Sequence, residues 1–507
     1  MSFKNAYYHL NTHPSLPVNP TGTDDEIFGV LVLELNQVNI TTRPVFILFT
    51  VDATGSMSEY VTHTTTKIQY AIQTLKSIVK YLSTQETDVY IQINTFNINV
   101  HQLIPYTKVS PQSLEAMLTL LQSIDADGTT NIEAALKSAT ASITEYATLN
   151  PTHSCVHIFM TDGEPTHGAN TSRELIECVS NEYLSINIGF GTDHNAKLLC
   201  EISNLSNSEY HFIDNVENSS VVYGESLHKV LFPCLHNVNI YVENGLIYDW
   251  INNEWSTSIY ENTLISEIKK YYHIKTSTPD YINIMVTAYR AEDHTNDLIY
   301  VEEQVDKLPE LHDSAGNILH DMNIIKFAFR QCVLEVLYVA THTNHNLGNN
   351  VFAVIKQRIR DLFRIIRTYA QENNLYTDGI IIQLMNDLYL AYWNIGNTEG
   401  GELYIFGRHS SQGSQHAHTP GNQRLRNINI DTEFDIPPRP IMRRYNNYIS
   451  PSYSSTDDIC GLSMDFLDIN SNEQTIDMDG RQTDTEYSCY SSPGVRNTTS
   501  SIQLLED

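Results

Sequence analysis

Apolar positions along this chain change their period three times, and each change marks a different architecture. Between residues 45 and 232, short unbroken apolar runs alternate with stretches whose apolar residues recur every three or four positions. VFILFTV (45–51), VYIQINTF (89–96), CVHIFMTD (155–162), YLSINIGFG (183–191) and EYHFID (209–214) read as strands, with VHQLIPY (100–106) as an edge partner. Residues 59–84 carry Ile68, Ala71, Ile72, Leu75, Ile78, Val79 and Leu82 at helical spacing. PQSLEAMLTLLQSI (111–124) opens with a proline suited to a helix's first turn. Further helices are expected at 131–147, 171–182, 195–206 and 217–232. This alternation predicts an α/β unit, a mostly parallel sheet covered by helices on both faces. In such sheets ligands sit beyond the carboxyl ends of the strands.

From 233 to 320 the period becomes two. HNVNIYVE (236–243) sets Val238, Ile240 and Val242 on one face, and YINIMVTAY (281–289) does the same with Ile282, Ile284, Val286 and Ala288. This predicts a small antiparallel β domain. The strand EIFGVLVLELNQ (26–37) has no partner within the α/β segment, so it is expected to pair with these later strands. The α/β unit is then an insertion in the β domain, which closely spaced domain termini allow. Residues 322–394 turn helical, and the middle segment has an apolar stripe flanked by Lys356, Arg358, Arg360, Arg364 and Arg367. These cations read as a solvated face answering the chain's own acid. From about 409 the chain is polar without a period and reads as disordered. The expected organisation is a leader at 1–25, a strand segment at 26–43, the α/β domain at 44–232, the β domain at 233–320, a helical domain at 321–408 and a tail at 409–507.

Composition narrows the function. A chain of 507 residues with a formal net charge of −30 is a poor partner for nucleic acid, whose binding needs Lys and Arg to release phosphate counterions. Anionic membrane surfaces are disfavoured for the same reason. No apolar run approaches the roughly 20 residues that span a bilayer, and the N-terminus has no signal-like apolar core. The 7 cysteines are scattered without a C-x-x-C pair. They read as a reduced, intracellular, cytoplasmic chain with neither a zinc site nor a disulfide framework.

The chemistry concentrates where VFILFTV runs into DATGSMS. Asp52, Thr54 and Ser56 share one tight turn after a strand, Thr130 heads a helix, and Asp162 follows another strand. Mg²⁺ is a hard cation that takes an octahedron of oxygens and keeps several waters. One carboxylate, a few hydroxyls and a second acid meet that need, and Gly55, Gly128 and Gly163 give the backbone room to bend. One coordination position stays open to solvent, so an acidic group from another molecule can complete the shell.

The residues D-x-T-x-S in VDATGSMS, the threonine in DGTTNIEAAL and the aspartate in FMTDGEP together resemble the metal-ion-dependent adhesion site of von Willebrand factor type A (vWA) domains. Thr54 stands where the family usually has serine and keeps the hydroxyl. INIGFGTDHNAKLLCEIS and EYHFIDNVENSSVVYGESL resemble the closing half of intracellular and microbial members. The resemblance implies a Rossmann-like fold and Mg²⁺-dependent protein binding, with Mn²⁺ or Ca²⁺ as alternative ions. It implies Asp52, Thr54, Ser56, Thr130 and Asp162 as the ion's shell and a partner that offers a carboxylate. Thr130 is taken from the match of TNIEAAL to the family's G-T-N-I run, with Thr129 the alternative. The flanking segments resemble multidomain proteins of protists, fungi and large DNA viruses. A viral source would add the virion as a location. Oligomeric state is left open.

Two rivals stand beside this reading. DATGS also resembles the loops of aspartyl-phosphate enzymes, with Asp52 as a nucleophile beside Mg²⁺. Such an enzyme needs a lysine, and Lys137 and Lys197 are badly placed for it in sequence; the chain is expected not to be an enzyme. The other rival is a scaffold whose metal only stiffens the fold. His167 and His194 read as solvated loop histidines, and Ser58 as a hydrogen-bonding residue of the turn.

Overall fold

A computed structural model describes residues 4–6, 18–23, 26–35, 43–60, 64–191, 194–203, 205, 207–213, 219–277, 281–291, 298–306, 311–312, 318–319, 322–343, 349–375, 377–396, 401–421, 475–476, 482–483 and 487–505. Two short strands come first, β1 (Lys4–Ala6) and β2 (Ile27–Glu34). The α/β unit then runs β3 (Val45–Asp52), α1 (Lys67–Leu82), β4 (Val89–Phe96), β5 (Val100–Lys108), α2 (Pro111–Leu121), α3 (Ile132–Leu149), β6 (Ser154–Thr161), α4 (Ser172–Ile176), β7 (Leu184–Phe190), α5 (Ala196–Ser203), β8 (Ser208–Ile213) and α6 (Ser219–Leu231). Its six strands are ordered β5-β4-β3-β6-β7-β8, parallel except for the antiparallel edge strand β5.

The unbroken apolar run of β3 follows from burial on both faces. Val45, Ile47, Phe49 and Val51 pack with Leu75 and Ile78 of α1, while Phe46 and Leu48 pack with Ala139 and Ile143 of α3. Register aligns Asp52 with Phe96 and Val51 with Met160, so β3, β4 and β6 finish at one edge. Caps fix where helices begin. Thr66 and Gln69 form a reciprocal capping box on α1, and Asn131 accepts the Ala134 N–H at the head of α3. The helix expected over 171–182 is shorter, because Glu177 ends it and the chain turns toward β7.

After the α/β unit come β9 (Pro233–Glu243), β10 (Leu246–Asp249), β11 (Glu254–Ser256), β12 (Ser258–Ile265), β13 (Lys269–Thr276), β14 (Tyr281–Arg290) and β15 (Leu298–Asp306). They form two sheets, β1-β2-β13-β10-β11 and β12-β9-β14-β15. β2 pairs antiparallel with β13 from Ile27↔Thr276 to Glu34↔Lys269, so the α/β unit is inserted between strands of one sheet. Ile27, Leu31 and Leu33 of β2 share a core with Val238, Ile240, Ile274 and Ile284.

The helical segment is not a separate body. It comprises α7 (Met322–Thr341), α8 (Asn349–Glu372), α9 (Gly379–Asn394) and α10 (Gly401–Ser414). One core joins Phe28 and Val30 of β2, Leu198, Leu199 and Phe212 of the α/β unit, and Phe329, Phe363, Leu384 and Tyr404 of these helices. Arg358 reaches Glu335 at 3.7 Å, and Lys356 and Arg360 lie over the Tyr392 ring, so part of the basic flank is answered within the bundle.

The expectation of a disordered tail from 409 is overturned for the residues described there. α10 runs past that boundary, and residues 409–413 within it are buried. α11 (Pro493–Gln503) lies on α6, capped by Ser492, with Val495, Thr498, Thr499 and Ile502 buried. These segments bury polar residues through hydrogen bonds, so they lack the apolar period that signals order. Ser411 donates to His418 O at 2.8 Å, and Gln412 donates to Asp387 at 2.7 Å. The remainder of 409–507, and most of the leader expected at 1–25, lie outside the described residues.

Candidate metal centre

The loop after β3 is stitched to its neighbours by backbone. Ala53 N–H donates to Phe96 O at 2.8 Å, Asp127 N–H to Ala53 O at 2.9 Å, and Gly55 N–H to Gly128 O at 3.1 Å. Gly128 takes φ +82, a backbone that side chains rarely adopt. Residues Gly55–Ser58 then wind into a 3-10 turn that buries Met57, and Ser58 Oγ donates to Gly55 O at 2.6 Å.

On this frame the acidic and hydroxyl side chains meet. Asp52 is fully buried; its Oδ1 accepts the Thr54 N–H at 2.9 Å and its Oδ2 accepts the Thr161 hydroxyl at 2.6 Å. Thr54 Oγ1 and Ser56 Oγ are 3.0 Å apart, and the Ser56 hydroxyl donates to Asp162 Oδ1 at 2.8 Å. Thr130 comes from the opposite side. Its carbonyl accepts the Thr166 and His167 N–H groups at 2.9 and 3.0 Å, and its own N–H donates to Thr166 Oγ1 at 2.8 Å. A Cβ placed on Gly163 would lie 3.5 Å from Thr130 Oγ1 and 3.7 Å from Ser56 Oγ, so both hydroxyls border the same glycine. The five residues singled out from the sequence are thus brought together. Thr129 is exposed and Thr130 is buried, which favours Thr130 over its neighbour.

Electrostatics explain what the cluster lacks. Burial, then repulsion from Asp162, pushes the Asp52 carboxyl up to about 6. Burial also raises Asp162, with Lys67 opposing. Two carboxylates in a desolvated corner call for a cation, and Lys67 supplies one. Its Nζ lies 2.8 Å from Asp162 Oδ2 and 2.9 Å from Glu59 Oε2. Burial works against its charge, yet the two acids hold its pKa above the ordinary value. Lys67 went unnoticed in the sequence, although TTTKIQYAI does place a lysine at the start of a helix, where the dipole disfavours a cation. Thr161, beside Asp162 in FMTDG, was also missed.

The donor set is all oxygen, two carboxylates and three hydroxyls, which fits a hard divalent ion such as Mg²⁺ rather than a soft one. The Thr54–Ser56 and Ser56–Asp162 hydrogen bonds join the groups that would turn toward it.

His194 departs from its solvated reading. It is buried, with Nδ1 2.9 Å from Gly191 O and Nε2 2.7 Å from the Tyr210 hydroxyl, and it packs against Gly189. His167 is exposed.

Residues 47–224 match the family model of the von Willebrand factor type A domain. This segment is a vWA domain. Domains of this family often bind a metal. Among solved structures, the chain is similar to a von Willebrand factor type A protein from Catenulispora acidiphila, at 13% identity and a TM-score of 0.49, covering 72% of this chain and 85% of that one. It is also similar to the ArnB paralog VWA2 from Sulfolobus acidocaldarius, at 14% identity and a TM-score of 0.49, covering 81% of this chain and 98% of that one. A search of the curated proteins finds no match. Among the described residues, no helix is long and apolar enough to cross a membrane.

Proposed function

We propose that this protein is a metal-dependent protein-binding module, a scaffold whose vWA domain holds Mg²⁺ and captures an acidic side chain of a partner. The observation that carries this reading is the convergence of Asp52, Thr54, Ser56, Thr130 and Asp162 at the carboxyl end of the sheet. The hydroxyls of Thr54, Ser56 and Thr130 and the two carboxylates would hold the ion. When bound, the ion supplies an electrophilic seat for a carboxylate. Without an ion, Lys67 pairs with Asp162, and Thr161 and the Thr54 N–H orient Asp52. A chain at −30 repels acidic partners at long range, but screening beyond about 8–10 Å leaves the local ion in command at contact.

The experiment is Mg²⁺ titration of the full chain by calorimetry, then partner capture with Mg²⁺ or EDTA, read by mass spectrometry. Expected are stoichiometric Mg²⁺ binding, its loss in Ser56→Ala, and partners that vanish with EDTA. An identical set of captured proteins with and without chelator would refute the reading.

One observation speaks for the aspartyl-phosphate alternative. Lys67 is a cation beside Asp162, the very group that Lys137 and Lys197 could not supply. Against it, the Asp52 side chain is fully buried with a hydrogen bond to each oxygen, an environment that suits a fixed ion ligand better than a nucleophile open to an incoming phosphate. Turnover of a chromogenic phosphate ester with Mg²⁺, abolished by Asp52→Asn, would replace the binding reading with the enzymatic one.

A further inference from the structure

A second cluster of metal-ligating side chains lies away from the oxygen site. His211 sits on β8, Glu225 on α6, and His416 two residues beyond the end of α10. Each offers one ligand atom, and the three atoms all lie within 4.8 Å of one another. His416 Nδ1 is 3.2 Å from Glu225 Oε1, and the two imidazole rings are 4.2 Å apart between centroids. His211 is 4% exposed and His416 7%.

The polar valences of this cluster are not used up. Among the described residues, His211 Nε2, His416 Nε2 and Glu225 Oε2 are buried without a hydrogen-bond partner. Buried polar atoms almost always find one, so three together at one spot point to something that would answer them. Glu225 Oε1 lies 3.2 Å from His416 Nδ1 and accepts the Ala417 N–H at 3.0 Å. The nearby charges are Glu209, whose Oε2 is 3.7 Å from His211 Nε2, and Lys229, which pairs with Glu209 rather than with Glu225. Lys229 therefore leaves the Glu225 carboxylate for another cation.

We propose that His211, Glu225 and His416 form a zinc site that clasps the C-terminal part of the chain to the vWA domain. Two imidazole nitrogens and a carboxylate oxygen suit Zn²⁺, which binds such atoms at about 2.0–2.2 Å in a tetrahedron. The edge of that tetrahedron is about 3.3 Å, close to the 3.2 Å between His416 Nδ1 and Glu225 Oε1, a hydrogen-bonded pair that the ion would take over. Water takes the fourth position. Oxygen-only sites prefer Mg²⁺, so the two centres separate by chemistry. The consequence is mechanical. Ala417 O accepts the Ser488 N–H at 2.7 Å, and residues 487–505 continue into α11, which lies on α6. The ion ties β8 and α6 to the strand of chain on which that segment docks. Cysteine spacing could not reveal such a site, because its ligands are His and Glu.

The test uses the full chain stripped with chelator and reloaded with Zn²⁺ or Co²⁺ alone. Expected are about one tightly held Zn²⁺ per chain, a strong tetrahedral Co²⁺ absorption, and a rise in melting temperature with Zn²⁺. All three persist in Asp52→Ala/Ser56→Ala and are lost in Glu225→Gln and His416→Ala. Should both single variants fail to fold, the wild-type Co²⁺ spectrum decides, since a weak octahedral band or no binding would overturn the proposal. Zinc retained undiminished by a folded His416→Ala would overturn it equally.

Discussion

Asp162 divides its carboxylate between two partners: Oδ1 accepts the Ser56 hydroxyl at 2.8 Å, and Oδ2 accepts the Lys67 ammonium at 2.8 Å. The ion pair is almost fully buried, with side-chain exposures of 6% for Lys67 and 0% for Asp162. Lys67 thus holds one carboxylate of the candidate ion site and competes with a metal for it.

Replacing Lys67 by Met should therefore have opposite effects with and without metal. In chelator, Lys67→Met leaves Asp162 without its cation and lowers stability by up to about 3–5 kcal/mol. With Mg²⁺, the competing charge is gone and affinity rises on the order of tenfold. Calorimetry and denaturant melts measure the two quantities. Weaker Mg²⁺ binding in the variant would mean that Lys67 helps the ion rather than opposing it.

The choice between adjacent threonines has its own test. Thr130→Ala removes a buried hydroxyl that borders Gly163 and Ser56. Mg²⁺ affinity should fall at least about tenfold, one hydrogen-bond-sized increment to a charged group. Thr129→Ala alters an exposed side chain and should leave affinity unchanged. The reverse order would exclude Thr130 from the shell.

Acid sensitivity should trace in part to His157 in β6. Burial lowers its pKa to about 3, and its Nε2 is 3.0 Å from Thr50 Oγ1. The unfolded chain binds the proton near pH 6.5 and the folded one does not, so stability rises with pH between these values. The contribution is complete above about 6.5 and is lost as pH falls toward 3. Loss by pH 4 is on the order of a few kcal/mol. Denaturant midpoints of wild type and His157→Leu across pH 4–7 give the comparison. Parallel curves would contradict the assignment.

Close approach of α11 to α6 depends on Gly224. A Cβ there would run into Thr499 Oγ1 and the Thr499 backbone. Gly224→Ala should loosen residues 487–505 and cost about 1–3 kcal/mol. Limited proteolysis should then cut near the C-terminus well before the sheet opens. Unchanged protection would show that the helix shifts without releasing.

Much of the vWA domain was legible because its signals are local. An unbroken apolar run means burial on both faces of a strand, and VFILFTV, VYIQINTF and CVHIFMT are β3, β4 and β6. Parallel strands that start together also end together, so Asp52 and Asp162 had to emerge on one edge. That β2 pairs outside that sheet was legible, but its partner was not: it pairs with Lys269–Thr276 rather than with the 236–243 or 281–289 strands, because KKYYHIKT carries no apolar alternation to mark it as a strand.

What the amino-acid order determined by itself was the type of most elements and the strand ends at which carboxylates and hydroxyls gather, since period and strand direction are properties of short stretches. Only the tertiary structure decided that Lys67 reaches Asp162, that Thr130 rather than Thr129 faces the cluster, and that the polar stretches 409–421 and 487–505 are packed. It alone joined His211 and Glu225 to His416 across most of the C-terminal half of the chain. The reason is physical. Apolar burial repeats with the backbone and shows as a period, whereas polar burial is satisfied by single distant partners that leave no pattern along the chain.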